Sequence, residues 1–432
     1  MGLKTIGLVM PDKESDFPKW ERGVSLPSLT MEAVAASIDT DAEIKIIDET
    51  VHSLDLNERF DLVGISINTA TAARGYELAR HFKNNGAYVV MGGVHAAVLP
   101  EEALSYADSV VIGEAEGAFQ KLINDILSGN PKRIYSNDKP FDLSKLRRPR
   151  RDLHVKSGDN EAIKVEASRG CSNNCSFCHH LPYSHRPIDD VVQEISELDS
   201  NLFSFADPNL GADRDFAVEL LKRIWPAGKK WAAEVQSSIF LDDEFLFYAS
   251  QTGCIGLLVG YESVNHASIK EAGKRFNKPE DYIKGIELAH KHGIMVKGSF
   301  VFGFDNDAKG CFDECARLAV DMNLDLALFN VLTPYPGTRL FNKLQSEKRL
   351  LYTDFPEDWS NYKRTKAVFQ PKNMAPEELE QGVRHCWEEF YSIDSIEKRF
   401  SPSYRASSMQ ADLAYRSNIG ANGAFSGVLA GR

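Results

Sequence analysis

The chain has 432 residues, of which 43% are apolar, and this length and composition predict roughly two to three folded domains. It carries 50 Lys and Arg against 62 Asp and Glu, a formal charge of −12, which argues against a broad nucleic-acid-binding face. A small-molecule or peptide substrate is the expected partner. We find no apolar run near the roughly 18 residues that span a bilayer and no secretory signal pattern, so the expected location is the cytoplasm.

The first part of the chain alternates short β-branched strands with helical segments. Strands are predicted at residues 5–10, 43–48, 61–66, 88–92 and 109–113, with helices at 29–38, 71–84 and 116–127. This alternation is typical of βαβ units around a parallel sheet. It predicts an α/β fold that begins with a five-stranded, Rossmann-like domain over residues 1–130.

A Pro- and Arg-rich segment, residues 131–160, is predicted to be a linker, and its basic run at 145–151 is expected to face solvent without a function. A second βα series follows over residues 161–345. Its strands are predicted at 163–168, 202–206, 230–235, 255–260, 295–301 and 326–331, and six such repeats are expected to close into a curved partial barrel. Residues 346–432 are predicted to form a helical cap, with a helix at 376–390, followed by a Ser- and Gly-rich tail that ends in residues 422–432 and is expected to be loose unless it covers part of the fold.

A cysteine loop directly after the first barrel strand is the strongest chemical signal. It comprises Cys171, Cys175 and Cys178, three of the seven cysteines, and three thiols in one loop can converge on a metal centre. One interpretation is a zinc site in which His179 supplies the fourth ligand. The other is a four-iron cluster with one iron left open for a substrate. Spacing alone leaves both open.

The loop has the spacing C-x3-C-x-aromatic-C, with Phe177 at the aromatic position, and further motifs follow the later strands: FADPN at 205–209, AE at 233–234, GLLVGYES at 256–263, GSFVFG at 298–303 and TPYPGT at 333–338. In these motifs the chain resembles the radical S-adenosylmethionine (SAM) superfamily, whose fold is a partial (β/α)6 barrel. The resemblance implies that the three cysteines are catalytic and hold a [4Fe–4S] cluster that binds and cleaves SAM to a 5′-deoxyadenosyl radical. It also implies an external electron donor of the flavodoxin or ferredoxin type. The implied SAM contacts are Phe177, Asp207, Glu234, Glu262 and Ser263.

The first domain carries a second resemblance, in the segment from Met91 to Leu104 and in the turn at Gly113 and Glu114. It is similar to the cobalamin-binding domain that precedes the barrel in one radical SAM subfamily. Paired glycines let a bulky cofactor approach the backbone. The implied cobalamin contacts are Gly92, Gly93, His95, Gly113 and Glu114, with His95 expected to be structural or to touch the nucleotide tail. The loop at residues 11–20 has no histidine, whereas cobalamin domains that ligate cobalt through histidine carry D-x-H-x-x-G. Members of the resembled subfamily commonly lack that histidine, so the resemblance implies base-off cobalamin without a protein nitrogen on cobalt.

The other cysteines are weighed separately. Cys254, Cys311 and Cys315 are expected to pack in the core, whereas Cys386 could do the same or present a thiol to the substrate. The chain shows neither an RNA-binding barrel nor cysteines for a second cluster in the first domain, so an RNA substrate is not expected. The predicted function is cobalamin-dependent radical SAM methylation of an unactivated carbon or phosphorus. The alternatives are a radical cyclase, oxidase or rearrangement enzyme of the same fold, and a non-catalytic sensor.

Overall fold

The structure is a computed structural model, and it describes residues 2–12, 29–155, 162–179, 181–401, 404 and 408–429, with side chains up to residue 423. The loop at residues 11–20, on which the base-off prediction depends, lies almost wholly outside the described residues.

The first domain is built on a parallel sheet of order β2-β1-β3-β4-β5-β6. Its strands are β1 (Thr5–Met10), β2 (Glu43–Asp48), β3 (Leu62–Ser66), β4 (Tyr88–Gly92), β5 (Ser109–Ile112) and β6 (Ile134–Ser136), and its helices are α1 (Leu29–Ala36), α2 (Ala72–Asn84), α3 (Gly93–Val98), α4 (Pro100–Ala103) and α5 (Ala118–Leu127). Ile6 and Leu8 are buried on one face and Val9 on the other, because alternate side chains of a strand point to opposite faces.

The prediction of five strands was wrong by one strand. β6 pairs with β5, placing Ile134 opposite Val110, and it comes from the segment predicted to be a linker. Only Tyr135 of its three residues is buried, so the sequence pattern is too short to separate a strand from a loop.

The second domain is a partial barrel of six parallel strands, of order β14-β13-β12-β11-β10-β7, as predicted. These strands are β7 (Ile163–Val165), β10 (Leu202–Phe205), β11 (Lys230–Val235), β12 (Cys254–Glu262), β13 (Met295–Phe302) and β14 (Leu326–Val331), and a separate two-stranded sheet, β8 (Ser168–Arg169) with β9 (Ser184–His185), frames the cysteine loop. The helices are α6 (Ile188–Glu197), α7 (Arg214–Ile224), α8 (Asp243–Gln251), α9 (His266–Ala272), α10 (Pro279–Lys291), α11 (Cys311–Asp321) and α12 (Arg339–Ser346).

The carboxyl-terminal region contains α13 (Pro376–Phe390), α14 (Ile393–Arg399) and α15 (Met409–Leu429). The tail was expected to be loose unless it covers part of the fold, and α15 does so, because it packs on the barrel. The residues that it buries recur at helical spacing and are small: Ala411, Ala414, Asn418 and Ala421. Asn418 also accepts a hydrogen bond from Arg399 at 2.9 Å. The small side chains of this segment, which are also typical of linkers, here permit close packing of the helix.

The basic run at 145–151 does more than face solvent. Arg151 donates to Glu194 of the barrel domain at 2.6 Å and lies 3.4 Å from Glu32 of the first domain. In the carboxyl-terminal region, the indole of Trp359 is buried and donates to Glu102 at 3.0 Å. These contacts join the first domain to the barrel and to the region that follows the barrel. Within the described part of the chain, no helix combines the length and apolarity needed to cross a membrane.

Candidate functional site

A cavity of about 500 Å³ opens at the carboxyl ends of the barrel strands, and we call it the mouth cavity. Side chains two residues apart on one strand share a face, so each strand sends alternate residues into it. Leu258, Gly260 and Glu262 come from β12, whereas β14 contributes Leu328 and Asn330. The cysteine loop closes one side with Cys171, Cys175, Phe177 and Cys178.

The cysteine loop is held by backbone contacts on both sides. Gly170 has a φ of 77°, and a Cβ there would collide with the carbonyls of Leu181 and Pro182, so this turn requires glycine. Ser176 donates its N–H to the carbonyl of Ala272 at 2.9 Å, and its own carbonyl accepts from the N–H of Leu340 at 2.9 Å. The loop is therefore fixed between the end of α9 and the start of α12.

The three thiols influence one another at the edge of the mouth cavity. Burial raises the pKa of Cys175 to about 11, and burial with the negative charge of Cys171 raises the pKa of Cys178. Lys274 acts in the opposite direction on both thiols. Thiols lose their protons when they bind a metal, and a neighbouring cation favours the resulting thiolate.

His179, the alternative zinc ligand, has its Nε2 atom 2.7 Å from the carbonyl oxygen of Pro336, so this ring nitrogen is already occupied. Across the residues that the structure describes, no three Cys, His, Asp or Glu side chains are placed as ligands of one common metal ion.

Three of the five predicted SAM contacts, Phe177, Glu234 and Glu262, line the mouth cavity. Glu262 has a φ of 65°, in the left-handed region that a residue with a side chain rarely adopts, and its Oε1 lies 2.5 Å from Nζ of Lys274. Burial alone would lower the pKa of Lys274, but the Glu262 carboxylate and the Cys175 thiol raise it, so the amine stays charged. Desolvation raises the pKa of Glu234, although nearby cations, above all Lys164, oppose it.

The remaining two predicted SAM contacts, Asp207 and Ser263, lie outside the lining of the mouth cavity and have other partners. Asp207 is buried and accepts hydrogen bonds from the backbone N–H groups of Ala167 and Ser168 and from the Ser168 hydroxyl. Ser263 accepts from the N–H of Asn265 at 3.0 Å, within the turn before α9. Neither lines the mouth cavity, because a short side chain at a strand end is captured by the nearest backbone donors.

A second cavity, of about 830 Å³, lies between the edge of the first sheet and the barrel, and we call it the sheet-edge cavity. Four of the predicted cobalamin contacts line it, namely Gly92, Gly93, Gly113 and Glu114. Its inner wall is apolar and rises from strands β1, β4 and β5 through Leu8, Val90 and Val111.

The paired glycines have different roles. Gly93 has a φ of 89°, and a Cβ there would collide with the backbone of Ile67, so the chain path itself requires this glycine. At Gly92 a Cβ would lie 3.9 Å from the carbonyl oxygen of Val111, in ordinary contact, so the chain path does not require glycine there. The absence of a side chain at Gly92 instead leaves room in the sheet-edge cavity, which this residue lines. The position of His95 agrees with a structural role, one of the two expected for it. It is buried between Thr69 and Glu102, at 3.2 Å from each, and does not line the cavity.

The two cavities meet at the cysteine loop, because both are lined by Cys178 and His179. Arg169, two residues before Cys171, binds Glu114 at 2.6 Å and Glu116 at 2.8 Å, both in the wall of the sheet-edge cavity. One guanidinium group therefore ties the cysteine loop to the first domain.

Several site residues were missed by sequence reasoning. Gln236 and Asn330 follow or lie on barrel strands at inward-facing positions, so strand periodicity could have found them. Lys274 and Arg364 reach the mouth cavity from loops, where no periodic pattern marks them. The remaining cysteines behave as expected: Cys254 and Cys315 are buried, Cys311 packs against the core, and Cys386 is buried and donates to the carbonyl of Phe312 rather than facing a cavity.

Comparison with known proteins matches two family profiles, the Radical SAM superfamily over residues 165–319 and the B12 binding domain over residues 23–123. The chain belongs to the cobalamin-binding radical SAM enzymes. It is 29% identical over 412 residues to bacteriochlorophyllide d C-12(1)-methyltransferase of Chlorobaculum tepidum, covering 91% of this chain and 88% of that protein. A C-8(2)-methyltransferase of the same organism is 26% identical, covering 82% and 83%.

Among solved structures, the radical SAM methyltransferase TsrM from Kitasatospora setae, with cobalamin and a [4Fe–4S] cluster bound, superposes with a TM-score of 0.66 at 16% identity. The match covers 98% of this chain and 89% of that one, and it shows a common fold. The cofactors of the family are a [4Fe–4S] cluster, SAM and cobalamin. The two cavities and the three sulfur donors of the cysteine loop, of which Cys178 borders both cavities, fit this set.

Proposed function

We propose that this enzyme is a cobalamin-dependent radical SAM methyltransferase that modifies an unactivated carbon of a small molecule. The observation that carries the proposal is the shared border of the two cavities. Because Cys178 and His179 line both, a substrate at this border would face the SAM site and the cobalamin site at once. The methyltransferases that are similar over most of the chain support the same reaction class.

In the proposal each cofactor has its own residues. Cys171, Cys175 and Cys178 would hold the cluster, Glu262 and Glu234 would orient SAM, and the wall around Gly92 and Glu114 would hold cobalamin. When bound, the cluster would supply the electron that cleaves SAM, and cobalamin would carry the methyl group.

The chain's own contribution is placement and exclusion of water. The strained Glu262 and its partner Lys274 form a charged pair that is already oriented before ligands bind, which reduces the entropy lost on binding. The Arg169 contacts hold the cysteine loop and the sheet-edge cavity in a fixed relative position.

The proposal also includes the predicted domain boundaries, with β6 moved into the first domain. It further includes a cytoplasmic location, an external electron donor of the flavodoxin or ferredoxin type, and no nucleic-acid substrate.

Single-turnover reactions with methyl-labelled SAM test the proposal. Two related enzymes are named for bacteriochlorophyllide d but for different positions on it, so this compound is a suitable first acceptor in a panel of small molecules. Label in the acceptor supports methyl transfer. Unlabelled product with 5′-deoxyadenosine would indicate a radical cyclase or oxidase, and neither product across the panel would favour a sensor. A variant with all three loop cysteines changed to Ala should form no 5′-deoxyadenosine, whereas changing Cys311 and Cys315 should leave it intact.

A further inference from the structure

An amide side chain lies against one of the three loop cysteines. Asn209 follows β10, is 4% exposed, and places its Nδ2 atom 3.8 Å from the sulfur of Cys171. The same nitrogen lies 3.1 Å from Oε1 of Gln236. A separation of 3.8 Å is within the range of an N–H···S hydrogen bond, since sulfur is larger than oxygen.

The orientation of this amide is fixed by a backbone donor. The N–H of Gln236 lies 3.0 Å from the other end of the Asn209 amide. A backbone N–H only donates, so the atom that it contacts must be the amide oxygen, and the NH2 group must then face Cys171. The Gln236 oxygen also accepts from Asn173 at 3.2 Å, which holds this acceptor in place.

The segment that carries Asn209 is itself immobilised. The carbonyl of Asn209 accepts from the N–H of Ala212 at 3.0 Å. Two residues earlier, Asp207 binds Ala167 and Ser168, on the strand that leads into the cysteine loop. One segment therefore anchors the entry to the loop and aims an amide at its first sulfur.

We infer that Asn209 is a positioning residue that donates a hydrogen bond to the Cys171 ligand and raises the reduction potential of the cluster. Reduction adds one electron from the external low-potential donor and breaks no bond. The positive end of the N–H dipole stabilises the more negative, reduced cluster more than the oxidised one. The inference requires the cluster but does not depend on which molecule is methylated.

The test is a redox titration of the reconstituted enzyme, followed by electron paramagnetic resonance of the reduced cluster, with iron and sulfide content measured first. Asn209→Leu removes the donor without adding charge. Asn209→Asp keeps the oxygen that accepts from Gln236 but sets a carboxylate oxygen beside the sulfur. Asn330→Leu is the matched control, because Asn330 lines the same cavity and its amide contacts Ser299 and Phe300 rather than sulfur.

We expect Asn209→Leu to lower the potential by about 59 mV, a tenfold change in the one-electron equilibrium, which is the effect of losing a hydrogen bond to a charged group. Asn209→Asp should lower it further, and Asn330→Leu should leave it near the wild-type value. Equal potentials for wild type and Asn209→Leu, or equal shifts for both Leu variants, would overturn the inference. So would loss of the cluster in both Asn209 variants, which would make the residue a requirement for loop assembly. A wild-type protein without iron would instead refute the cluster assignment on which the proposed function depends.

Discussion

Changing Asp207 to Leu tests whether this carboxyl group anchors the cysteine loop or binds SAM. The side chain is 1% exposed and accepts from Ala167 N at 3.0 Å, from the Ser168 hydroxyl at 2.5 Å and from Ser168 N. Leucine has a similar size but no acceptor, so two buried backbone N–H groups lose their partner. Each unpaired buried donor costs about 1–3 kcal/mol, which gives a loss of roughly 2–6 kcal/mol.

Thermal unfolding of the apoprotein at pH 6, followed by circular dichroism, measures this loss. A domain of this size shifts by about 2–4 °C per kcal/mol, so the midpoint should fall by roughly 4–24 °C. Asp215→Asn is the control: its side chain is 92% exposed, and it should change the midpoint by no more than about 2 °C. An unchanged midpoint for Asp207→Leu, together with weakened SAM binding by the reconstituted enzyme, would refute the anchoring role and restore the sequence-based expectation.

The same residue predicts a pH dependence of stability. Burial raises the pKa of Asp207 to about 7, above the usual value of 3.8. Between these values the folded state keeps a proton that the unfolded state releases, so the contribution of Asp207 to stability falls as the pH rises from about 4 to 7. Over this interval the fall is roughly 4 kcal/mol at most. Asp207→Asn cannot titrate, so the wild-type midpoint should fall towards that of the variant as the pH increases, and the difference between the two midpoints should shrink. A constant difference would show that the buried carboxyl group does not titrate in this range.

Three further results are expected. Arg169→Gln should weaken hydroxocobalamin binding by about tenfold or more in an absorbance titration, because it breaks buried charged contacts to Glu114, whereas Arg150→Gln on the surface should not. Gly93→Ala should lower the thermal midpoint, because its Cβ meets the backbone of Ile67, whereas Gly92→Ala should fold normally and weaken only cobalamin binding. Glu262→Ala should keep the cluster and raise the dissociation constant for SAM by about ten- to a hundredfold in equilibrium dialysis, and loss of the cluster would make Glu262 structural.

The sequence predicted the strands and most helix positions because both sheets are parallel and buried, so their strands are continuous apolar runs. It also located the cysteine loop and both glycine turns, since these depend on local spacing and backbone conformation. The elements that the sequence did not predict depend on tertiary contacts. β6 has three residues and one buried side chain, and α15 buries alanines whose composition matches a flexible tail.

Side-chain length explains which of the predicted acidic residues reach the mouth cavity. Asp207, Glu234 and Glu262 all lie at or just after the ends of barrel strands, and their sequence positions provide no reason to separate them. The aspartate is too short to pass the backbone of the neighbouring strand and is held by its N–H groups, whereas the two glutamates extend into the mouth cavity. Among these three acidic residues, the contacts of the side chain with nearby backbone donors therefore decide which ones reach the cavity.

The domain boundary seen in the sequence is not a boundary of function. The linker separates two folds along the chain, yet Arg169 comes from the barrel side and binds carboxylates of the first domain, two residues before Cys171. Movement of the sheet-edge wall must then move the start of the cysteine loop, and displacement of the loop must disturb the wall. Since coupling free energies are reciprocal, occupancy of the sheet-edge cavity and order in the cysteine loop should each stabilise the other. The chemistry proposed for this enzyme needs both cofactor sites to face one substrate. Arg169 is linked to Cys171 through the backbone and to the first domain through its ion pairs, and in this way it keeps the two sites aligned.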